Sequence, residues 1–302
     1  MSIDAVPGGL LVRQLDHWLP GALHRSRRAT LALAYAGDPG TAEAALRVVA
    51  GFADRLRGRR LTVLVLADGG PELPARLGVV EAGLPGDVAV HVVPGDPARL
   101  PVVLKAAGAA GAPLLTLVDG AAPEPALLAA TATGRPAEVL LSTTTTTATL
   151  RPALTAAGFP LVTEVELVPA DGAPARLVAF GTGLDKSLEA FKEALWATGA
   201  DVAAAGIRYR DPAGDLLDVG ADPPTGPLRD ALLAELTRHG PRTVTELRRH
   251  TLTATAYRAG DAGHALAELL DGGAVTRDPE HGRLGGDVLI SAGPAPAARS
   301  TV

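Results

Sequence analysis

Short apolar runs alternate with Ala- and Leu-rich stretches between residues 29 and 180. The apolar runs have the length of β-strands, and the intervening stretches have the composition of helices. Because the runs are almost continuously Leu and Val, the strands are expected to be buried on both faces, as in a parallel sheet between two helical layers. The predicted strands are Thr30 to Ala36, Leu61 to Ala67, Val88 to Val93, Leu114 to Val118 and Glu138 to Ser142.

The pattern changes after the fifth strand. Leu161 to Val168 and Arg176 to Phe180 read as two further strands, and the Pro-, Asp- and Gly-containing segment 169–174 joins them. Strands joined by so short a turn form an antiparallel hairpin. The sequence therefore predicts an α/β, Rossmann-like domain over residues 29–205, with a seven-stranded sheet that ends in this hairpin. Ahead of it, residues 1–28 carry Leu at helical spacing around Trp18 and predict a helical segment packed on the sheet.

The last third of the chain has a different pattern. Residues 206–226 are rich in Asp, Gly and Pro and predict a linker. Residues 227–291 predict three short helices followed by a β-hairpin, which is the arrangement of a winged helix. The helices are Pro227 to His239, Thr243 to Leu252 and Tyr257 to Leu270, and the hairpin strands are 274–277 and 288–290. Residues 292–302 are expected to be a flexible tail.

Composition removes several classes of protein. Of 302 residues, 47% are hydrophobic and 20% charged, which is typical of a globular chain and not of a disordered one. With no cysteine, zinc-thiolate sites, disulfides and cysteine nucleophiles are excluded. The seven histidines show no metal-binding spacing, so no metal site is expected. The first residues lack a basic, apolar leader, and the expected location is cytoplasmic.

Charge limits the partners. The net charge of −5 gives no global attraction to nucleic acid or to an anionic membrane. Residues 227–291 contain eight arginines and nine acidic residues, a net charge of −1. Proteins that bind DNA through such a domain are usually basic, because neutralising phosphates supplies much of the affinity. The winged helix is therefore expected to contact a protein partner or a second copy of the chain rather than DNA.

Candidate binding residues follow the first three predicted strands. In doubly wound sheets a ligand lies over the carboxyl ends of the strands, where glycines allow close backbone approach and a carboxylate can accept ribose hydroxyls. Taken singly, each segment is equally compatible with an ordinary turn, but together they favour a nucleoside-type ligand. The candidates are Tyr35, Gly37, Asp38 and Gly40 after the first strand, Asp68 after the second, and Gly95 and Asp96 after the third.

The fourth strand supplies the one candidate catalytic residue. Asp119 follows Val118 and precedes Gly120, at the lip where a second substrate would lie. It would orient that substrate or act as a base. The alternative is that it only caps the next helix.

The predicted strand plan is that of the class I S-adenosylmethionine methyltransferases. Four segments carry a more specific resemblance: the loop 35–40, Gly95-Asp96, Val118-Asp119-Gly120, and Phe180-Gly181-Thr182 followed by Leu188, Phe191-Lys192 and Ala194-Leu195-Trp196. On these segments the chain resembles the three-Cys-motif partner proteins over most of its first 200 residues. The resemblance implies a methyltransferase-like protein with S-adenosylmethionine as cofactor, and a winged-helix C-terminus fits it.

Departures from the family pattern keep a second function open. Leu33 stands where the family usually has an Asp, Asp38 is an insertion in the glycine loop, and Ala-rich residues follow Gly120. These changes weaken the part of the site that would hold the methionine end of the cofactor. The two hypotheses are therefore a methyltransferase of unknown acceptor, and a catalytically inactive scaffold or regulator that recruits a protein partner or DNA through its winged helix.

Overall fold

A computed structural model describes residues 2–35, 40–67, 72–144, 149–218 and 224–293. The fold is α/β, and its centre is a large mixed sheet in the strand order β3-β2-β1-β4-β5-β7-β6-β8-β9. The strands of this sheet are β1 (Arg28–Tyr35), β2 (Arg60–Ala67), β3 (Val88–Val93), β4 (Leu114–Asp119), β5 (Ala137–Thr143), β6 (Leu161–Pro169), β7 (Arg176–Thr182), β8 (Ile207–Arg210) and β9 (Leu216–Leu217).

The first five strands are parallel, as the sequence predicts. β7 inserts antiparallel between β5 and β6, so the predicted hairpin is also confirmed. The predicted strand boundaries agree with the structure within one or two residues at each described end. β4 is buried at every position, which explains why its sequence shows no alternation of apolar and polar residues.

Two helical layers cover the sheet. The chain forms α1 (Val6–Arg25), α2 (Gly40–Ala50), α3 (Ala53–Leu56), α4 (Glu72–Glu81), α5 (Leu100–Ala106), α6 (Pro125–Thr131), α7 (Arg151–Ala156), α8 (Asp185–Ala197) and α9 (Gly199–Ala204) before the last module. α1 packs against α2 and α8 on one face, and α5 packs against α6 on the other. Alternate residues of β1 enter the two resulting cores: Leu31 and Leu33 enter one, Ala32 and Ala34 the other. The expected packing of the first helix on the sheet is confirmed by its buried Leu residues and Trp18.

The sheet is wider than the seven strands that the sequence predicts. β8 pairs antiparallel with β6, and β9 pairs with β8, within the segment 206–226 that was expected to be a linker. Ile207 and Tyr209 are buried while Arg208 is exposed, so β8 has the alternation of a strand. Only two apolar positions carry that signal, and the Asp-, Gly- and Pro-rich residues around them hide it.

Residues 224–293 form a C-terminal module. It contains α10 (Thr225–His239), β10 (Arg242–Thr243), α11 (Val244–Ala254), α12 (Ala259–Asp271), β11 (Val275–Asp278) and β12 (Leu289–Ala292). The three strands form a separate sheet in the order β10-β12-β11. Thr243 and Glu246 form a capping box that fixes the start of α11.

The turn between α11 and α12 rests on the first domain. Three side chains of the first domain donate hydrogen bonds to backbone carbonyls of the turn and of the last residues of α11: Arg151 to Thr253, Lys192 to Thr255, and Trp196 to Ala256. Arg258, which precedes α12, lies over the Trp196 ring with 5.3 Å between the guanidinium carbon and the ring centroid. The module is therefore joined to the first domain by directional contacts as well as by apolar packing.

Candidate functional site

Strand pairing brings the ends of β1, β2, β4 and β5 to one edge of the sheet. Tyr35 lies opposite Ala67 of β2 and opposite Asp119 of β4. Asp119 in turn lies opposite Ser142 of β5. The carboxyl ends of these strands are where a doubly wound fold would bind a ligand, and the described candidates Tyr35 and Asp119 lie at this edge.

The described residues contain part of the predicted cofactor site. Tyr35 is buried as the last residue of β1, and Gly40 is the first residue of α2. Gly37, Asp38 and Asp68 lie outside the described residues. Their assignment to cofactor binding stays a prediction.

Gly95 and Asp96 follow β3 at the same edge. Gly95 has φ +139°, a backbone conformation that favours glycine. Asp96 is exposed, and its Oδ1 accepts a hydrogen bond from the backbone N–H of Ala98 at 2.7 Å, which caps a short 3-10 turn. One carboxylate oxygen therefore fixes the turn, and Oδ2 has further capacity to accept a hydrogen bond from a ligand amine.

Asp119 is buried in an ion pair. Its Oδ1 accepts a hydrogen bond from Nη2 of Arg176 at 2.6 Å. Burial raises the pKa of the Asp119 carboxyl, while Arg176 and the Ser142 hydroxyl act in the opposite direction. Asp119 does not cap the next helix, because the cap residue of α6 is Glu124. The geometry therefore favours a positioning role for Asp119, in which its carboxylate holds the Arg176 guanidinium. It does not favour a role as a free base.

Arg176 and Asp4 are residues of this edge that the sequence analysis misses. β7 is antiparallel, so its first residue lies at the edge where β4 and β5 end. Nη1 of Arg176 donates to Oδ1 of Asp4 at 2.6 Å, and Asp4 belongs to a short 3-10 turn that precedes α1. A signal was present in the sequence: Arg176 is a charged residue at the start of an otherwise apolar run.

The chemistry that the described residues offer at the edge is polar binding. Within the described ranges, no group of three His, Cys, Asp or Glu side chains is placed to hold a metal ion. The same described part of the chain has no helix with the length and apolar character needed to cross a bilayer. What the edge offers is a glycine at the start of a helix, a capped acidic turn, and a guanidinium held between two carboxylates.

Comparison with known proteins gives limited similarity. No protein-family model matches the chain, and no curated protein matches it. Among solved structures, the Streptococcus pneumoniae protein Sp1610, a candidate tRNA (m1A22) methyltransferase, is 14% identical, with coverage of 83% of this chain and 97% of its own and a TM-score of 0.31. A second structure of Sp1610, in complex with S-adenosyl-L-methionine, has 14% identity, 82% and 96% coverage and a TM-score of 0.30.

The B. subtilis m1A22 tRNA methyltransferase TrmK is likewise 14% identical, with coverage of 86% of this chain and 93% of its own and a TM-score of 0.31. Similarity at this level carries no argument about the function of this chain.

Proposed function

We propose that this chain is a methyltransferase-like protein that binds S-adenosylmethionine at the carboxyl edge of its parallel strands. The observation that carries the proposal is the strand order β3-β2-β1-β4-β5-β7-β6 with β7 antiparallel, the plan of class I methyltransferases. Other doubly wound folds share the first five strands and lack the inserted seventh.

The residues at the edge have roles that suit such a ligand. Gly40 begins α2 and supports an approach of the cofactor to the helix terminus. Asp68 would accept the ribose hydroxyls, and Asp96 would accept the adenine amine through Oδ2. When bound, S-adenosylmethionine would supply an electrophilic methyl group, and the chain would contribute chiefly by holding the acceptor in line with it.

The test is calorimetric titration of the full chain with S-adenosylmethionine and S-adenosylhomocysteine. Charge-assisted hydrogen bonds from ribose hydroxyls to a carboxylate contribute about 1.5–3 kcal/mol, so Asp68→Ala should weaken binding about 10- to 150-fold. Asp54→Ala is the matched control, because the Asp54 carboxylate is exposed and, among the described residues, pairs with Arg57. Absence of binding at millimolar ligand rejects the proposal.

A scaffold or regulatory role is the second candidate, and one observation favours it. The side chain of Leu33 is completely buried in the core, so the position that usually carries an acidic residue in the resembling family is filled by apolar packing. The titration decides between the two, since a scaffold without cofactor function gives no heat.

We further propose that the C-terminal module is a winged helix that contacts protein rather than DNA. Its order of helix, strand, two helices and hairpin, with β12 between β10 and β11, supports the winged-helix assignment. The contact of Arg258 with Trp196 supports the second part, because the start of α12 already faces the first domain. A second copy of this chain is one such protein partner.

A further inference from the structure

Arg176 is an almost completely buried cation at the proposed site. Only 5% of the residue is exposed, although it begins a strand at the edge of the sheet. A buried guanidinium is costly unless acceptors surround it. Its partners therefore indicate what this position is built to bind.

The guanidinium is held by two carboxylates and still has an unused donor. Nη2 donates to Asp119 and Nη1 donates to Asp4, each to a single oxygen atom at 2.6 Å. Nε is buried and has no hydrogen-bond partner among the described residues. Elsewhere in the chain, Arg249 shows what a fuller contact looks like: it donates through both Nε and Nη2 to the two oxygens of Asp185.

The two carboxylates differ in how firmly they are placed. The Asp119 side chain is 11% exposed and belongs to the buried strand β4. The Asp4 side chain is 70% exposed and belongs to a three-residue turn near the amino terminus. An ion pair with one partner in solvent contributes little, so a ligand can displace Asp4 far more easily than Asp119.

We propose that Arg176 is the binding residue for an oxyanion group, a carboxylate or a phosphate, of the methyl acceptor, and that Asp4 occupies this position when no acceptor is bound. The proposal rests on the proposed function and names the class of its second substrate. An oxyanion has at least two acceptor oxygens and can use guanidinium donors that Asp4 leaves unpaired. Replacing Asp4 with an anionic ligand also leaves the number of negative groups around Arg176 unchanged.

The experiment follows the ¹⁵N NMR signal of the Arg176 Nε–H in the full chain. Sodium phosphate and sodium acetate are titrated separately, with sodium chloride holding the ionic strength constant. Both anions are expected to shift the signal with dissociation constants in the millimolar range, and the tighter of the two identifies the acceptor group. Asp4→Asn should tighten binding about fivefold, which corresponds to about 1 kcal/mol. Asp54→Asn, which alters an exposed acid paired with Arg57, should change nothing.

Two outcomes overturn the inference: no shift of the Arg176 signal with either anion, or the same affinity in Asp4→Asn as in the unaltered chain. Arg176→Lys should abolish binding, but the inference does not depend on that variant folding, because Asp4 is exposed and its substitution leaves the core untouched.

S-adenosylmethionine is titrated on the same samples. Cofactor binding without anion binding rejects only this inference, and anion binding without cofactor binding rejects the proposed function together with the role of Arg176 in methyl transfer.

Discussion

Leu33 shows how one residue can change the chemistry open to a fold. It lies two positions before the end of β1, opposite Val65 and Leu117, and is completely buried. A carboxylate there would have apolar strand neighbours on both sides. Leu33 therefore contributes to packing. Any hydrogen bond or ion pair with a ligand must come from residues beyond the end of β1.

Leu33→Asp should lower the free energy of unfolding by about 3 to 5 kcal/mol at pH 8, through lost packing and an unpaired buried carboxyl. Burial would raise the pKa of the introduced carboxyl, so the native state holds its proton more tightly than the unfolded state. Stability then falls as pH rises, and the loss should be smaller at pH 5. Urea unfolding at both pH values measures this, with Leu33→Asn as the uncharged control. An equal loss for the two variants at both pH values would contradict the prediction.

At the same scale, sequence reasoning found some residues of the edge and missed others. Strand ends can be located from apolar runs alone. This is why the sequence predicts the candidates that follow the strands: Tyr35, Gly40, Gly95, Asp96 and Asp119. Arg176 and Asp4 were missed because their position depends on tertiary structure. The antiparallel direction of β7 brings a residue from the start of a strand to an edge otherwise formed by strand ends.

At the scale of elements, continuous apolar strands were predictable and weakly patterned ones were not. β1 to β7 carry enough Leu and Val to be recognised. β8 has only Ile207 and Tyr209 as buried positions, and β9 has two residues. Their pairing with β6 and with each other comes from the sheet and not from local preference, which is why the linker was predicted too long.

One of the side chains that donate to the turn between α11 and α12 is a buried lysine. Lys192 of α8 is completely buried and donates to the carbonyl of Thr255. Burial, together with the nearby Arg151, lowers the pKa of Lys192 to about 7, while Asp211 acts in the opposite direction. Its ordinary value in an unfolded chain is about 10.4.

This difference predicts a pH dependence with a defined sign. Between pH 7 and about 10 the unfolded state binds more protons at Lys192 than the native state, so the free energy of unfolding should rise as pH rises. Lys192→Met should remove that contribution. Urea unfolding at pH 7 and pH 9.5 measures the slope. Lys186 is an exposed lysine on the same helix, so Lys186→Met should keep the slope. A slope that survives in Lys192→Met would show that the lysine is not the source.

At the scale of the whole molecule, one of the two apolar cores extends from the first domain into the C-terminal module. Leu167 and Phe191 of the first domain belong to the same buried cluster as Leu228, Leu247 and Leu252 of the C-terminal module. The C-terminal module therefore shares part of its packing with the first domain, and nucleic-acid binding is best tested with the full chain.

The net charge predicts that the full chain does not bind random duplex DNA with submicromolar affinity, even in low salt. Residues 227–291 of the C-terminal module have a net charge of −1. Arg258, which precedes the third helix of the module, lies over the Trp196 ring and donates a hydrogen bond to Asp261. Without a surplus of cations there is little counterion release to drive association.

Fluorescence anisotropy with a labelled duplex measures this. Glu280→Lys combined with Asp287→Lys, two acidic residues of the segment joining β11 to β12, serves as a positive control, because it makes the module cationic and should produce weak, salt-sensitive binding. Submicromolar binding by the unaltered chain, with a steep salt dependence, would mean that the module presents a cationic surface to DNA despite its composition.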